Sequence, residues 1–268
     1  MKKVLTIAGS DCSGGAGIQA DIKTITVHKL YGMSVITALT AQNTLGVTGV
    51  YEATPEFVGM QIDAVFEDIV PDAVKIGMVS NANIIRIIAE KLLYYKAKNV
   101  VVDPVMISTS GSKLLNDDAI DVLKNKLLTI ADVITPNIPE AETLCGFSIR
   151  TAEDMKRAAK EIADTIKIKG AVLLKGGHLV SSSYENGSSD DLLYENGEFH
   201  WFRSPRILNP NTHGTGCTLS SAIACNLAIG YDIKTSIQNA KNYVTGALKA
   251  GLNLGKGSGP LNHCYKIK

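Results

Sequence analysis

Short apolar runs that end in a glycine or a polar residue, each followed by a stretch of helical period, recur along this chain and leave few architectures open. Residues 4–8 (VLTIA) read as a buried strand, residues 9–17 (GSDCSGGAG) as a loop, and residues 18–28 as an amphipathic helix. The succession continues with strand 33–41, a helix opened by Thr54 and Pro55, strand 73–76, helix 81–96 and strand 100–102. Helix 117–127, strand 133–135, helix 151–166 and strand 171–174 follow, and a last helix is expected over 232–252. Parallel strands need a crossover between them, which a helix supplies. The pattern predicts an α/β fold of three layers, α/β/α, with a mostly parallel central sheet. The rhythm breaks once, where Asn196-Gly197 between two apolar runs predicts a β-hairpin near 191–203. The serine-rich segment 181–190 before it is expected to be a flap that closes over a ligand. With no linker or internal repeat, residues 1–268 are expected to form a single domain.

Charge and cysteine usage exclude several classes. Twenty-seven basic and 26 acidic residues leave a net charge of +1, so no field is present that suits nucleic acid or an anionic membrane. Any phosphate binding must be local. Five cysteines without a C-x-x-C pair indicate reduced thiols and a cytoplasmic location. The apolar stretch after Met1-Lys2-Lys3 is too short for a signal peptide, and no apolar run reaches the length of a membrane span. Residues 15–20 (GAGIQA) fit the dinucleotide pattern G-x-G-x-x-A, but 34–40 holds none of the acidic residues that pattern requires. A nicotinamide-dependent oxidoreductase is rejected on that ground, and a P-loop on the missing Gly-Lys-Ser/Thr.

In an open parallel sheet, ligands collect beyond the carboxyl ends of the strands. Residues 209–221 (NPNTHGTGCTLSS) place Gly214 and Gly216 just before an apolar, alanine-rich helix. Such a start offers N–H groups without helical partners and a partial positive charge, an anion site in which Thr212, His213, Gly214, Thr215 and Gly216 would surround a phosphate. Cys217 then sits where that field lowers a thiol pKa, suited to act as general base toward an alcohol; a covalent nucleophile assisted by His213 is the weaker reading, and a small core residue the structural one. Asp103, Asn137 and Glu140 supply oxygen ligands suited to Mg²⁺, although Asn137 and Glu140 could equally cap a short helix. Lys175, followed by two glycines, could meet phosphate oxygens or run out to solvent. Together these groups form an inventory for phosphoryl transfer.

Residues 9–21, 38–44 (ALTAQNT), 75–78 (KIGM), 103–106 (DPVM), 135–140 (TPNIPE), 174–178 (LKGGH) and 211–217 (NTHGTGC) resemble the bacterial hydroxymethylpyrimidine/phosphomethylpyrimidine kinases of thiamine biosynthesis, in the ribokinase-like superfamily. The resemblance spans 4–254. It implies use of ATP and Mg²⁺, often with a monovalent cation such as K⁺, a homodimer, and two successive phosphorylations of 4-amino-5-hydroxymethyl-2-methylpyrimidine. It places Cys217 where most of the superfamily has an aspartate base, and matches Asn137 and Glu140 to the magnesium and phosphate element. It further implies that Gln42 reads the pyrimidine edge, with Gly9, Asp21 and Met78 lining the same pocket. A carboxamide offers a donor and an acceptor side by side, which suits that edge. A pyridoxal kinase shares loop and cysteine and stands as the alternative; a non-catalytic binding protein on the same scaffold is the second.

Overall fold

The computed structural model describes residues 1–106, 115, 117–177 and 187–267. A nine-stranded sheet runs in the order β3-β2-β1-β4-β5-β6-β7-β8-β9. Its strands are β1 (Lys3–Asp11), β2 (Tyr31–Asn43), β3 (Gly46–Glu52), β4 (Ala73–Ile76), β5 (Val100–Val102), β6 (Val133–Ile134), β7 (Ala171–Lys175), β8 (Asp191–Glu195) and β9 (Glu198–Phe202). From β2 through β7 the pairing is parallel; β3, β8 and β9 join antiparallel at the two ends. The hairpin expected near 191–203 is β8 and β9. The hairpin of β2 and β3 was not expected, because residues 46–52 are almost wholly exposed and lack the apolar alternation that marks a half-buried strand.

The helices α1 (Gly17–Val27), α2 (Pro55–Phe66), α3 (Ala82–Tyr94), α4 (Asp117–Val122), α5 (Ile138–Cys145), α6 (Ala152–Ile166), α7 (Thr215–Ile229) and α8 (Ile233–Ala250) divide between the faces. A π-helical turn (Leu123–Leu127) continues α4. Side chains alternate along a strand, so Leu5, Ile7, Val74, Ile76, Val100 and Val102 pack on α2, α3 and α6, while Val4, Ala73 and Val101 face α7 and α8. The same alternation turns Thr6, Lys75 and Lys175 toward α7. That helix is buried almost all round, with eleven of its fifteen residues buried, as befits a helix between a sheet and two neighbours. Most of the expected flap, and His178, lie outside the described residues.

Candidate active site

Gly214 precedes α7 in the left-handed region, with φ of 83°, and no side chain caps the helix. A Cβ there would stand 1.9 Å from the Gly15 carbonyl oxygen, so the loop 9–17 and the loop 209–217 can meet only over a glycine. The uncapped first turn opens into a cleft of about 570 Å³ lined by Gly214, Thr215, Gly216 and Cys217. Across the bare Cα of Gly216 lie Asp103 Oδ2 and Lys175 Nζ, 3.2 and 3.4 Å from where a Cβ would be.

Lys175 does not run out to solvent. Its ammonium donates to Asp103 Oδ1 at 2.8 Å, and the Thr135 hydroxyl donates to the same oxygen at 3.2 Å. The residue expected for phosphate and the residue expected for metal are thus one ion pair. Asn137 and Glu140 form the capping box of α5: Glu140 N–H donates to the Asn137 side chain at 2.9 Å, and Asn137 N–H donates to Glu140 Oε2 at 2.8 Å. The structural and functional readings coincide, since both residues also line the cleft. Burial pushes the Glu140 carboxyl up to about 7; the Lys175 ammonium opposes this and the Asp103 carboxylate adds to it. Glu140 and Asp103 offer hard oxygen donors with the single ammonium of Lys175 between them, and so fit Mg²⁺, with water and phosphate oxygens completing the shell. Among the described residues no group of three His, Cys, Asp or Glu side chains could hold a metal by itself.

Cys217 is half-buried in the wall of the cleft. Burial raises its thiol above the ordinary value, against the Lys75 ammonium and aided by Asp21 and Asp103. Burial therefore acts against the lowering expected from the helix N-terminus. The His213 ring is instead engaged with Asp11 Oδ2, at 2.8 Å, and lies 3.3 Å from the Gln42 amide. Thr212 lines the same cleft, its hydroxyl 3.3 Å from that of Ser258.

Gln42, Gly9 and Met78 line the cleft, with Met78 Sδ 3.2 Å from where a Cβ of Gly9 would stand. Asp21 does not line it, and that expectation is corrected. Its side chain is fully buried behind the wall, bound to Lys75 and to the hydroxyls of Thr6 and Ser221 at 2.6 Å each. A carboxylate on the buried face of α1, opposite a lysine on β4, is drawn to that partner rather than to the ligand.

Three charged side chains were given no role from the sequence. Lys75 is one; the signal was a lysine inside the apolar strand 73–76. Asp11 is another, accepting from the N–H groups of Ser13, Gly15 and Ala16 and so setting the shape of the first loop. The third is Lys241, whose ammonium donates to Asp191 Oδ2 and the Ser189 carbonyl at the far end of the cleft, from the apolar stripe of α8.

Residues 11–262 match the Phosphomethylpyrimidine kinase family model. The chain is 47% identical to the hydroxymethylpyrimidine/phosphomethylpyrimidine kinase of Bacillus subtilis, over 97% of this chain and 94% of that one. It is 52% identical to the thiamine biosynthesis bifunctional protein ThiED of Geobacter sulfurreducens, over 97% of this chain and 52% of that protein, and so spans about half of it. Among solved structures it is similar to a pyridoxal kinase of Bacillus subtilis in complex with ADP, with a TM-score of 0.88, 35% identity, and coverage of 99% of this chain and 98% of the other. By family match and full-length similarity together, the chain belongs to the phosphomethylpyrimidine kinases.

Proposed function

We propose that this chain transfers the γ-phosphoryl group of ATP to the hydroxymethyl of 4-amino-5-hydroxymethyl-2-methylpyrimidine, and then phosphorylates the resulting monophosphate. The observation that carries the reading is the meeting, in one cleft, of an uncapped helix start, the Lys175–Asp103 pair, Glu140, Cys217 and Gln42. The first-turn N–H groups of α7 face the transferring phosphoryl and are already oriented, so they stabilise its charge without reorganisation. Cys217, in the same turn, takes the alcohol proton as the oxygen attacks. Lys175 holds a phosphate oxygen on the ATP side, and Gln42 orients the ring on the other. Mg²⁺ held by Glu140 and Asp103 would neutralise phosphate charge. The family resemblance extends the cofactors to a monovalent cation such as K⁺. The reading includes a cytoplasmic single-domain protein acting as a homodimer; exposed Leu39, Tyr51, Phe57 and Met60 support a covered surface. Sedimentation as a monomer would remove the dimer.

A pyridoxal kinase activity is the second reading, favoured by the fold shared with the Bacillus subtilis enzyme. The deciding experiment measures ADP release with hydroxymethylpyrimidine, its monophosphate and pyridoxal offered separately, repeated with Gln42→Ala. Turnover of both pyrimidines, lost without the amide, is the expected result. Turnover of pyridoxal alone would transfer the assignment to vitamin B6, and no turnover would favour a binding protein.

A further inference from the structure

The hydrogen-bond partners of Gln42 cannot all be satisfied with its NH₂ toward His213 and its oxygen toward Thr40. The Thr40 hydroxyl oxygen stands 3.0 Å from the Ser10 carbonyl oxygen and 3.0 Å from Gln42 Oε1, yet a hydroxyl has one hydrogen to give. On the other side Gln42 Nε2 is 3.3 Å from His213 Nε2, which is 2.8 Å from Asp11 Oδ2. Both Asp11 and His213 are buried. Asp11 takes N–H bonds from Ser13, Gly15 and Ala16 and the Ser13 hydroxyl hydrogen. Burial would raise its carboxyl, but these donors and His213 hold it well below the usual carboxylate range. A carboxylate only accepts, so His213 Nε2 carries a hydrogen whatever the charge of the ring, and cannot accept one from the Gln42 amide.

Both conflicts vanish if the amide is turned end for end, a change that leaves the outline of the side chain the same. Its oxygen then receives a share of the His213 N–H, its NH₂ donates to the Thr40 oxygen, and the Thr40 hydrogen goes to Ser10. We infer that Asp11 and His213 are positioning residues that hold the Gln42 carbonyl toward His213 and its NH₂ toward Thr40, and so fix the order in which acceptor and donor meet the substrate. The matching ligand is an aminopyrimidine edge with its exocyclic N–H on the His213 side and its ring nitrogen on the Thr40 side. This rests on Gln42 being the group that reads the substrate.

The test has two arms on the full chain. In isotope-labelled protein, NMR is expected to show His213 protonated at Nε2 and the Gln42 NH₂ protons close to the Thr40 methyl group. A bare Nε2, or NH₂ protons close to the His213 ring instead, would overturn the inference. In kinetics, His213→Phe keeps the ring but removes the donor. It is expected to raise KM for hydroxymethylpyrimidine roughly tenfold, the worth of about one hydrogen bond, with less than a twofold change in KM for ATP. His213→Gln, which restores an N–H, should recover part of the loss, and Asp11→Asn should resemble His213→Phe. Equal changes in both KM values, or no change with His213→Phe where Gln42→Ala does raise KM, would sink the positioning role. If Gln42→Ala leaves that KM unaltered, the reading of Gln42 fails and the claim about substrate order falls with it, while the NMR arm still decides the orientation.

Discussion

Lys75 Nζ lies 2.9 and 2.8 Å from the two oxygens of Asp21, and neither side chain touches solvent. Burial would lower the Lys75 pKa, but the Asp21 carboxylate, with Cys217 and Asp103, raises it above the ordinary value, so the ammonium persists behind the cleft. Breaking such a pair strands a charge without water, whereas replacing both partners can be close to neutral. Lys75→Met is therefore expected to cost about 3–5 kcal/mol in urea unfolding, and Lys75→Met with Asp21→Leu distinctly less than the sum of the single changes.

The raised thiol of Cys217 gives the two phosphorylations different pH profiles. The basic form of a group with a raised pKa populates only as pH climbs, so the first transfer, from an alcohol, should accelerate from pH 6 to pH 9. A phosphate monoester has lost its second proton near pH 6 and needs no base. Single-turnover rates of the second transfer should flatten by about pH 7, and Cys217→Ala should impair the first step far more than the second. Parallel profiles for both steps would count against the base.

Two left-handed glycines provide a contrast. Gly146, with φ of 81°, has nothing within 4 Å of a new Cβ, so Gly146→Ala should cost about 1 kcal/mol of backbone strain and leave turnover intact. Gly214→Ala meets the Gly15 carbonyl and must push the two loops apart. Displacement on that scale at a reacting centre lowers kcat/KM by about 100-fold. Steady-state kinetics with thermal melts on both variants separate the strain from the clash.

Asp11 carries a pH signature of its own. Its folded pKa is depressed, so its contribution to stability is complete above the unfolded value near 4 and is lost as pH falls through the folded value. Asp11→Asn is expected to be less stable than the parent at pH 7, with the gap narrowing below about pH 4. A gap that stayed constant down to pH 2 would show that the loop is held by something other than the charge.

The alternation of strands and helices was legible because residues such as Val100 to Val102 and the stripe of α3 carry unmistakable periods. Asn137, Glu140 and Lys175 were legible as chemistry, since polar groups at parallel strand ends have few other uses. What could not be read was pairing. That Lys175 meets Asp103, or that Asp21 turns inward to Lys75 rather than toward the ligand, depends on which strand lies beside which, and sequence order conceals it. The edge strand β3 was missed for a different reason: its side chains have no core to face, so its sequence has no pattern to keep.

The position of α7 in the chain bears on how the protein emerges from the ribosome. Val4, Ala73 and Val101 wait for a helix made more than a hundred residues after the last of them. At typical elongation rates of about 5–20 residues per second, that sheet face stays open for roughly ten seconds. During that interval Gln42 and Met78 exist, while His213 and the first turn of α7 do not. A nascent chain can therefore be sticky before it can be active, and shielding that strip until residue 229 has emerged is a task for the cell's folding assistants.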